Sequence, residues 1–411
     1  MKRVVLINSY SDRNKGDLGI ILGTINIIKS KYPNCKIDAI SSFASDDNWF
    51  YSEHIELKKY INKIFPNVIG RVHKKSIIGK LYIVIRDIVK SFFIEFFPIW
   101  FLDIYLSIFH SQTKKIIKKS NLIISKGGSF LCNRDNFIDK LRLQRELMIF
   151  RICLRYNKKI IIWGQSIGPV YGKRDLLRIR NILKKMKLVV VREQLCLSSY
   201  NFIFKDLKNI IIGHDLAFNL PNEKILKLNK AILLKDKCNV AFTLKNYNSE
   251  SNNKKYFEIL KNIIDHLNNN YDCTFHFVPH VTIDDDVLQV KRFVSLISKS
   301  ISKNRIIVDE NEYSINNLLE IYKSKDILIG TRLHSTIFAL TTNTRVINIG
   351  YHGTKAKGVF NNIGLGDCQF DIDDPMNKII HQINNLLADN FDFSEKLKQI
   401  RSENNNIFNL F

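Results

Sequence analysis

Arg332 and His334 stand two residues apart in DILIGTRLHSTIFAL (326–340), where one short apolar run ends at Gly330-Thr331 and a second begins. The first run reads as a buried strand and the second as a helix, so the fixed cation and the imidazole fall in the helix's first turn. The helix macrodipole disfavours a cation there, and an arginine so placed is stabilised when an anion arrives to share it. A guanidinium fork takes a phosphate or carboxylate in bidentate fashion, and backbone N–H groups of the same turn add to the grip. His334 is near enough along the chain to give or take a proton at the same ligand.

Other polar clusters also follow apolar runs: NKGD (14–17), KGGS (126–129), GQSIGP (164–169), Arg192, Asp215 and His280. Each has a plainer reading. The glycine clusters can be tight turns, since neither is a G-x-G-x-x-G fingerprint or a P-loop. Arg192 can be a surface arginine at a sheet edge, His280 a structural loop histidine, and Asp215 a cap for LAFNL. The DDD at 284–286 reads as a cap for the helix that follows it. No D-x-D closes a strand and no His/Cys cluster has ligand spacing, so no metal and no cofactor is called for.

Positioning such groups requires a particular frame. Short β-branched runs (RVVLINS, NLIIS, KIIIWG, KLVVV, NIII) each end in glycine or a polar cluster and are followed by helix-like stretches. Their continuous apolar character predicts parallel strands covered on both faces. Ligands of open parallel sheets bind beyond the strands' carboxyl ends, where these clusters lie. A polar stretch, PNEKILKLNK (221–230), precedes a second series containing NVAFTL, TFHFVPH, RIIVDE, ILIG and RVINIGY. The expected architecture is α/β, with two Rossmann-like domains in tandem and a central cleft: 1–222, carrying an apolar insertion at 77–110, then 231–375, then a helical tail at 376–411.

Composition narrows the function classes. At 411 residues and 45% hydrophobic the chain is long enough for two cores. The formal charge of +24 favours anionic partners. Seven scattered cysteines, odd in number and without a C-x-x-C pair, point to a reducing compartment, and the apolar run 4–7 is too short for a signal peptide, so a cytoplasmic protein is expected. Segment 77–110 is strongly apolar and aromatic, but Arg86, Asp87, Lys90, Glu95 and Asp103 interrupt it below the length of a spanning helix. Two readings stand: helices packed on the first domain, or an interfacial element touching a lipid-linked substrate or membrane lipid at the inner face of the cytoplasmic membrane.

In order along the chain, NKGD, KGG, GQSIGP, VVVRE, HDLAF, VPH, GTRLHSTIFAL, GYHGTKAKG and NNIGL resemble the polysaccharide pyruvyl transferase family. The resemblance implies a GT-B-like fold and transfer of pyruvate from phosphoenolpyruvate to a sugar of a cell-surface polysaccharide or its precursor, giving a cyclic ketal and phosphate. It assigns Arg192, Arg332, Leu333 and Lys355 to the donor. SKGGSF lacks a third glycine, and YHGTKAKG has one residue more than expected between tyrosine and lysine. The chemistry then asks for a general acid or phosphate-stabilising group, His334, and a base for the sugar hydroxyl, Asp17 or Asp215. Asn14, Gly127, Gly128, Gln165 and His280 are assigned to the acceptor side, the acceptor being lipid-linked or a nucleotide sugar.

The alternative enzyme is a GT-B-like glycosyltransferase using a nucleotide sugar. Nucleic acid is not expected as a partner, because no helix-turn-helix, zinc or RNP-type pattern accompanies the charge.

Overall fold

A computed structural model describes residues 2–73, 76–221, 229–247, 249–298, 301–350 and 354–411, with Thr354 described by its backbone alone. Most of the polar stretch after Leu220 (222–228) and the YHG of the GYHGTKAKG block (351–353) lie outside the described residues.

The chain divides into two compact units, Met1–Asp12 with Ile20–Asn219 and Phe411, and Arg13–Gly19 with Leu220–Leu410. The first contains β1 (Arg3–Ser9), most of α1 (Lys15–Lys31), β2 (Lys36–Ala44), α2 (Trp49–Ser52), β3 (Lys63–Asn67), α3 (Ile77–Phe96), α4 (Ile99–Phe109) and α5 (Ser111–Lys119). It continues through β4 (Leu122–Ser125), β5 (Gly128–Leu131), α6 (Phe137–Arg155), β6 (Ile160–Ile167), α7 (Lys173–Leu183), β7 (Leu188–Val191), α8 (Gln194–Ser199), α9 (Asn201–Phe204) and β8 (Ile210–Ile212). Its sheet runs β3-β2-β1-β4-β6-β7-β8, with β5 paired to β6, and every pairing is parallel. The continuous apolar runs meet this demand: all eight residues of β6 are buried, as are the last six of β1.

The second unit holds the first turn of α1, then β9 (Lys237–Thr243), α10 (Glu250–Asn270), β10 (Asp272–Phe277), α11 (Asp286–Ile297), β11 (Ile306–Val308), α12 (Ile315–Lys323) and β12 (Ile327–Gly330). After these come α13 (Leu333–Thr341), β13 (Arg345–Gly350), α14 (Thr354–Asn362), β14 (Gln369–Asp371), α15 (Met376–Ala388) and α16 (Ser394–Phe408). Its parallel sheet has the order β11-β10-β9-β12-β13-β14. The strand order reverses beside β9, between β10 and β12, and His280 and Arg332 follow those two strands. Such a switch point is where an open α/β sheet leaves room for a ligand.

Candidate functional site

Two groups of predicted residues emerge, one in each unit. In the second unit, Arg332 takes the N-cap position of α13, with φ −86° and ψ 116°. Its carbonyl accepts the Ser335 N–H at 3.0 Å and the Ser335 hydroxyl at 2.6 Å, and that hydroxyl also meets Thr243 Oγ1 at the end of β9. The turn is thereby tied to the sheet. Leu333 is buried beneath it.

The Arg332 guanidinium is held by two carboxylates, Asp284 Oδ2 at 2.9 Å from Nη1 and Asp286 Oδ1 at 2.5 Å from Nη2. Burial opposes its charge, but Asp286 and Asp284 outweigh that cost and raise its pKa above the ordinary arginine value. The DDD at 284–286 therefore does not cap its helix. Asp285 has φ 60° and makes no side-chain cap, while Asp286 turns back to accept the Val281 N–H at 2.8 Å. A sequence reading finds acidic residues before a helix, and only the fold shows that an arginine 46 residues later claims them.

The first turn of α1 joins this group. Asn14 pairs with Val281 and caps the helix, its Oδ1 accepting the Asp17 N–H at 3.2 Å. Gly16 lies against the His334 ring: a Cβ built on Gly16 would stand 2.3 Å from His334 Nδ1 and 2.6 Å from Cγ. The N-termini of two helices, each a positive dipole end, thus meet at one imidazole. Lys15 is buried there and reaches Glu312 at 3.0 Å, and Asp17 follows in the same turn, half-buried.

His280, assigned above to the acceptor side, is fully buried in this same group. Its Nδ1 meets Tyr322 Oη at 3.1 Å, and its Nε2 has no hydrogen-bond partner among the described residues. Burial, then the charges of His334, Arg332 and Lys15, push its pKa well below the ordinary histidine value. Lys355 lies half-buried in the first turn of α14, beyond β13, which pairs with β12.

The first unit gathers Arg192, Asp215, Gln165, Gly127 and Gly128. Arg192, just after β7, is wholly buried, with Nη1 on Asp215 Oδ2 at 2.5 Å and Nε on Ser166 Oγ at 2.7 Å. Ser166 in turn donates to Glu193 at 3.0 Å. The other oxygen of Asp215 accepts the Ala217 N–H at 2.9 Å, so the plainer reading of a cap and the pairing with Arg192 hold together. Both oxygens are engaged, an arrangement suited to fixing Arg192 and poorly suited to accepting a proton from a sugar. Gln165 is buried, its Nε2 on the Ser166 carbonyl at 2.6 Å and its Oε1 without a partner among the described residues.

Backbone approach explains the glycines here. A Cβ on Gly127 would stand 2.2 Å from the Gly164 carbonyl oxygen, and Gly128 has φ +111°. The predicted residues thus fall in two groups, one in each unit. Asn14 and His280 gather with Arg332 and His334, whereas Arg192 and Asp215 gather with the KGGS and GQSIGP loops. Lys15, Gly16, Asp284 and Asp286 were not singled out as site residues from sequence, although the first two stand inside the NKGD motif.

The first unit also has a cavity of about 820 Å³ beside α3, lined by Asp46, Asp47, Asn48, Trp49, His73 and Lys80 among others. Trp49 and His73 stack at 3.7 Å, and Asp47 holds His73 Nδ1 at 2.9 Å.

Comparison with known proteins accords with this frame. The chain belongs to the polysaccharide pyruvyl transferase family, which it matches over residues 14–353. It is similar to the amylovoran biosynthesis protein AmsJ of Erwinia amylovora, at 22% identity over 96% of this chain and 94% of that protein. Among solved structures, it resembles the UDP-GlcNAc 2-epimerase of Methanocaldococcus jannaschii (TM-score 0.56, 12% identity, 100% of this chain and 99% of the other). It also resembles Anabaena Alr3699/HepE in complex with UDP-glucose (TM-score 0.51, 10% identity, 99% and 94%). At such identities the likeness is one of fold, and it bears out the expected GT-B-like class of two Rossmann-like domains.

Proposed function

We propose that this protein moves pyruvate from phosphoenolpyruvate to a sugar of a polysaccharide or its precursor, forming a cyclic ketal and releasing phosphate. The observation that carries the donor assignment is the meeting of two helix N-termini at His334, with Arg332 and Lys15 beside them. Phosphoenolpyruvate bears a phosphate and a carboxylate, and dipole ends with two fixed cations complement both. Arg332 would exchange the half-exposed Asp284 for the donor anion and keep the buried Asp286 as its anchor. Leu333 would line the same pocket, and Lys355 would add a third cation.

His334 delivers a proton to the methylene carbon, which becomes the methyl group. The carbon bearing phosphate is then attacked by one sugar hydroxyl, whose proton passes to a base. A second hydroxyl closes the ring as the C–O bond to phosphate breaks, its proton leaving with the departing phosphate. Asp17 suits the base role better than Asp215, whose two oxygens are occupied in holding Arg192. Arg192, Gln165 and the glycine loops would serve the acceptor in the first unit. The cavity by Trp49 offers an aromatic face with carboxylates and an amide around it, a combination that suits sugar hydroxyls. The relative named for amylovoran biosynthesis is in keeping with a polysaccharide acceptor.

Thermal unfolding with and without phosphoenolpyruvate tests the donor, each variant compared with its own ligand-free state. At a hundredfold excess over Kd the ligand stabilises the protein by about 2.7 kcal/mol. That shift is expected in the wild type, reduced in Arg332→Lys, which keeps charge but loses the fork, and not reproduced by UDP-glucose. A shift with UDP-glucose alone would transfer the donor site to a nucleotide sugar.

A further inference from the structure

Helix α3 is built inside out. Ile78, Leu81, Ile85, Phe92 and Phe96 follow helical spacing on its outer face and are each between 54% and 82% exposed. Three of its five charged residues, Arg86, Asp87 and Lys90, point the other way. Buried Arg86 donates to the Gly70 carbonyl at 2.7 Å and to Asp87 at 2.6 Å, and Asp87 also receives Arg145 at 3.3 Å. Lys90 reaches the Val68 carbonyl at 3.2 Å. These inward polar anchors set the helix's rotation, so the apolar stripe has to face outward. The next helix, α4, extends the face with Trp100, Ile104 and Ile108, all exposed. A contiguous apolar face of this kind on a folded surface marks an interaction site.

Charge identifies the occupant. Residues 77–119 carry seven Lys or Arg against three Asp or Glu, and all three acids are neutralised: Asp87 by Arg86 and Arg145, Glu95 by Arg151, Asp103 by Lys114 and Lys118. Exposed Lys115 and Lys119 of α5 stand close behind the apolar face along the chain. A second copy of this chain in a two-fold contact would bring two such lysine sets together. An anionic lipid surface would attract them. Among the described residues no helix is long and apolar enough to cross a membrane, so the geometry is that of an element lying in the interface.

We infer that the α3–α4 face docks on an anionic phospholipid bilayer, with its aromatic and aliphatic stripe in the headgroup layer and the α5 lysines over the lipid phosphates. This inference is independent of the donor assignment, because none of its residues belongs to either group of site residues.

Co-sedimentation of the full chain with phosphatidylcholine vesicles, with and without phosphatidylglycerol, tests it. Binding is expected to the anionic vesicles, to weaken with salt, and to be accompanied by a blue shift in fluorescence that Trp100→Phe removes. Phe92→Glu and Ile85→Glu should each weaken partitioning by about tenfold or more, with melting temperature preserved because both positions are exposed. The double variant Lys115→Ser/Lys119→Ser should lose affinity for anionic vesicles alone. Absence of wild-type binding at low salt would overturn the inference, as would unchanged binding by the glutamate variants. So would a wild-type dimer in sedimentation velocity that Phe92→Glu dissociates, since a second copy would then cover the face.

Discussion

Gly16 is the residue on which the proposed chemistry depends most directly without taking part in it. Its missing side chain is the space that the His334 imidazole fills, so Gly16→Ala must displace the ring or the first turn of α1. Such overpacking costs about 1–3 kcal/mol. Turnover should fall by about a hundredfold or more, the contribution of a positioned proton donor, and His334→Ala should fall comparably. Combining the two variants should add little to either, because both remove the same interaction; additive losses in kcat would mean that Gly16 acts elsewhere. From sequence, NKGD is visible as a motif at the start of a helix. That its glycine accommodates an imidazole 318 positions later is a fact of packing, which no local pattern encodes.

At the scale of elements, the C-terminal ends of β6, β7 and β8 converge on a buried ion pair. Arg192 and Asp215 are both fully removed from water at 2.5 Å. Removing one partner strands a buried charge, so Arg192→Met should cost about 3–5 kcal/mol in denaturant unfolding. Replacing both, Arg192→Met with Asp215→Leu, should recover most of that stability. If the double variant folds well yet has no transfer activity, the arginine serves the reaction; if activity returns with stability, the pair is structural. Strand ends were legible in sequence as the places where polar residues gather. The sheet order, which sorts those ends into two groups, was not, because strand neighbours are set by tertiary packing. The same limit explains why α3 could be read both as a packed helix and as an interfacial one: its hydrophobic period is clear, but only the anchors from Gly70, Val68 and Arg145 decide which way the stripe points. Lys80, Ile83 and Val84 of α3 also wall the cavity beside Trp49, so a docked protein would hold that cavity next to the lipid.

The whole molecule carries its charge in a way that makes it sensitive to acid. His54 is buried, with Nε2 against Ser41 Oγ at 2.8 Å, and burial followed by the charge of Lys58 lowers its pKa to about 3. His280 is lowered in the same direction. In the unfolded chain both take up a proton near the ordinary value of about 6.5. The unfolded state therefore binds more protons as pH falls through that value, and stability drops by about 1.4 kcal/mol per histidine for each further pH unit until the native pKa is reached. Above about pH 6.5, the unfolded-state value, the contribution is fully present. Urea midpoints measured from pH 8 to pH 5 should fall steadily below about pH 6.5, and His54→Gln should flatten that decline. An unchanged slope would mean that His54 is accessible to protons in the native state.

Sequence alone determined the classes of element and their chemistry: parallel strands from continuous apolar runs, helix starts from polar punctuation, and a family from an ordered set of motifs. These are local properties, fixed by side-chain periodicity and turn residues within a few positions. Tertiary structure alone decided the partners, since they are distant along the chain. Asp284 and Asp286 hold Arg332 rather than cap a helix, Asp215 is engaged by Arg192, and Asn14, Gly16 and His280 gather at His334. The cost of burying an unpaired charge or polar group forces such pairings, and only the folded chain shows which of many candidates meets it.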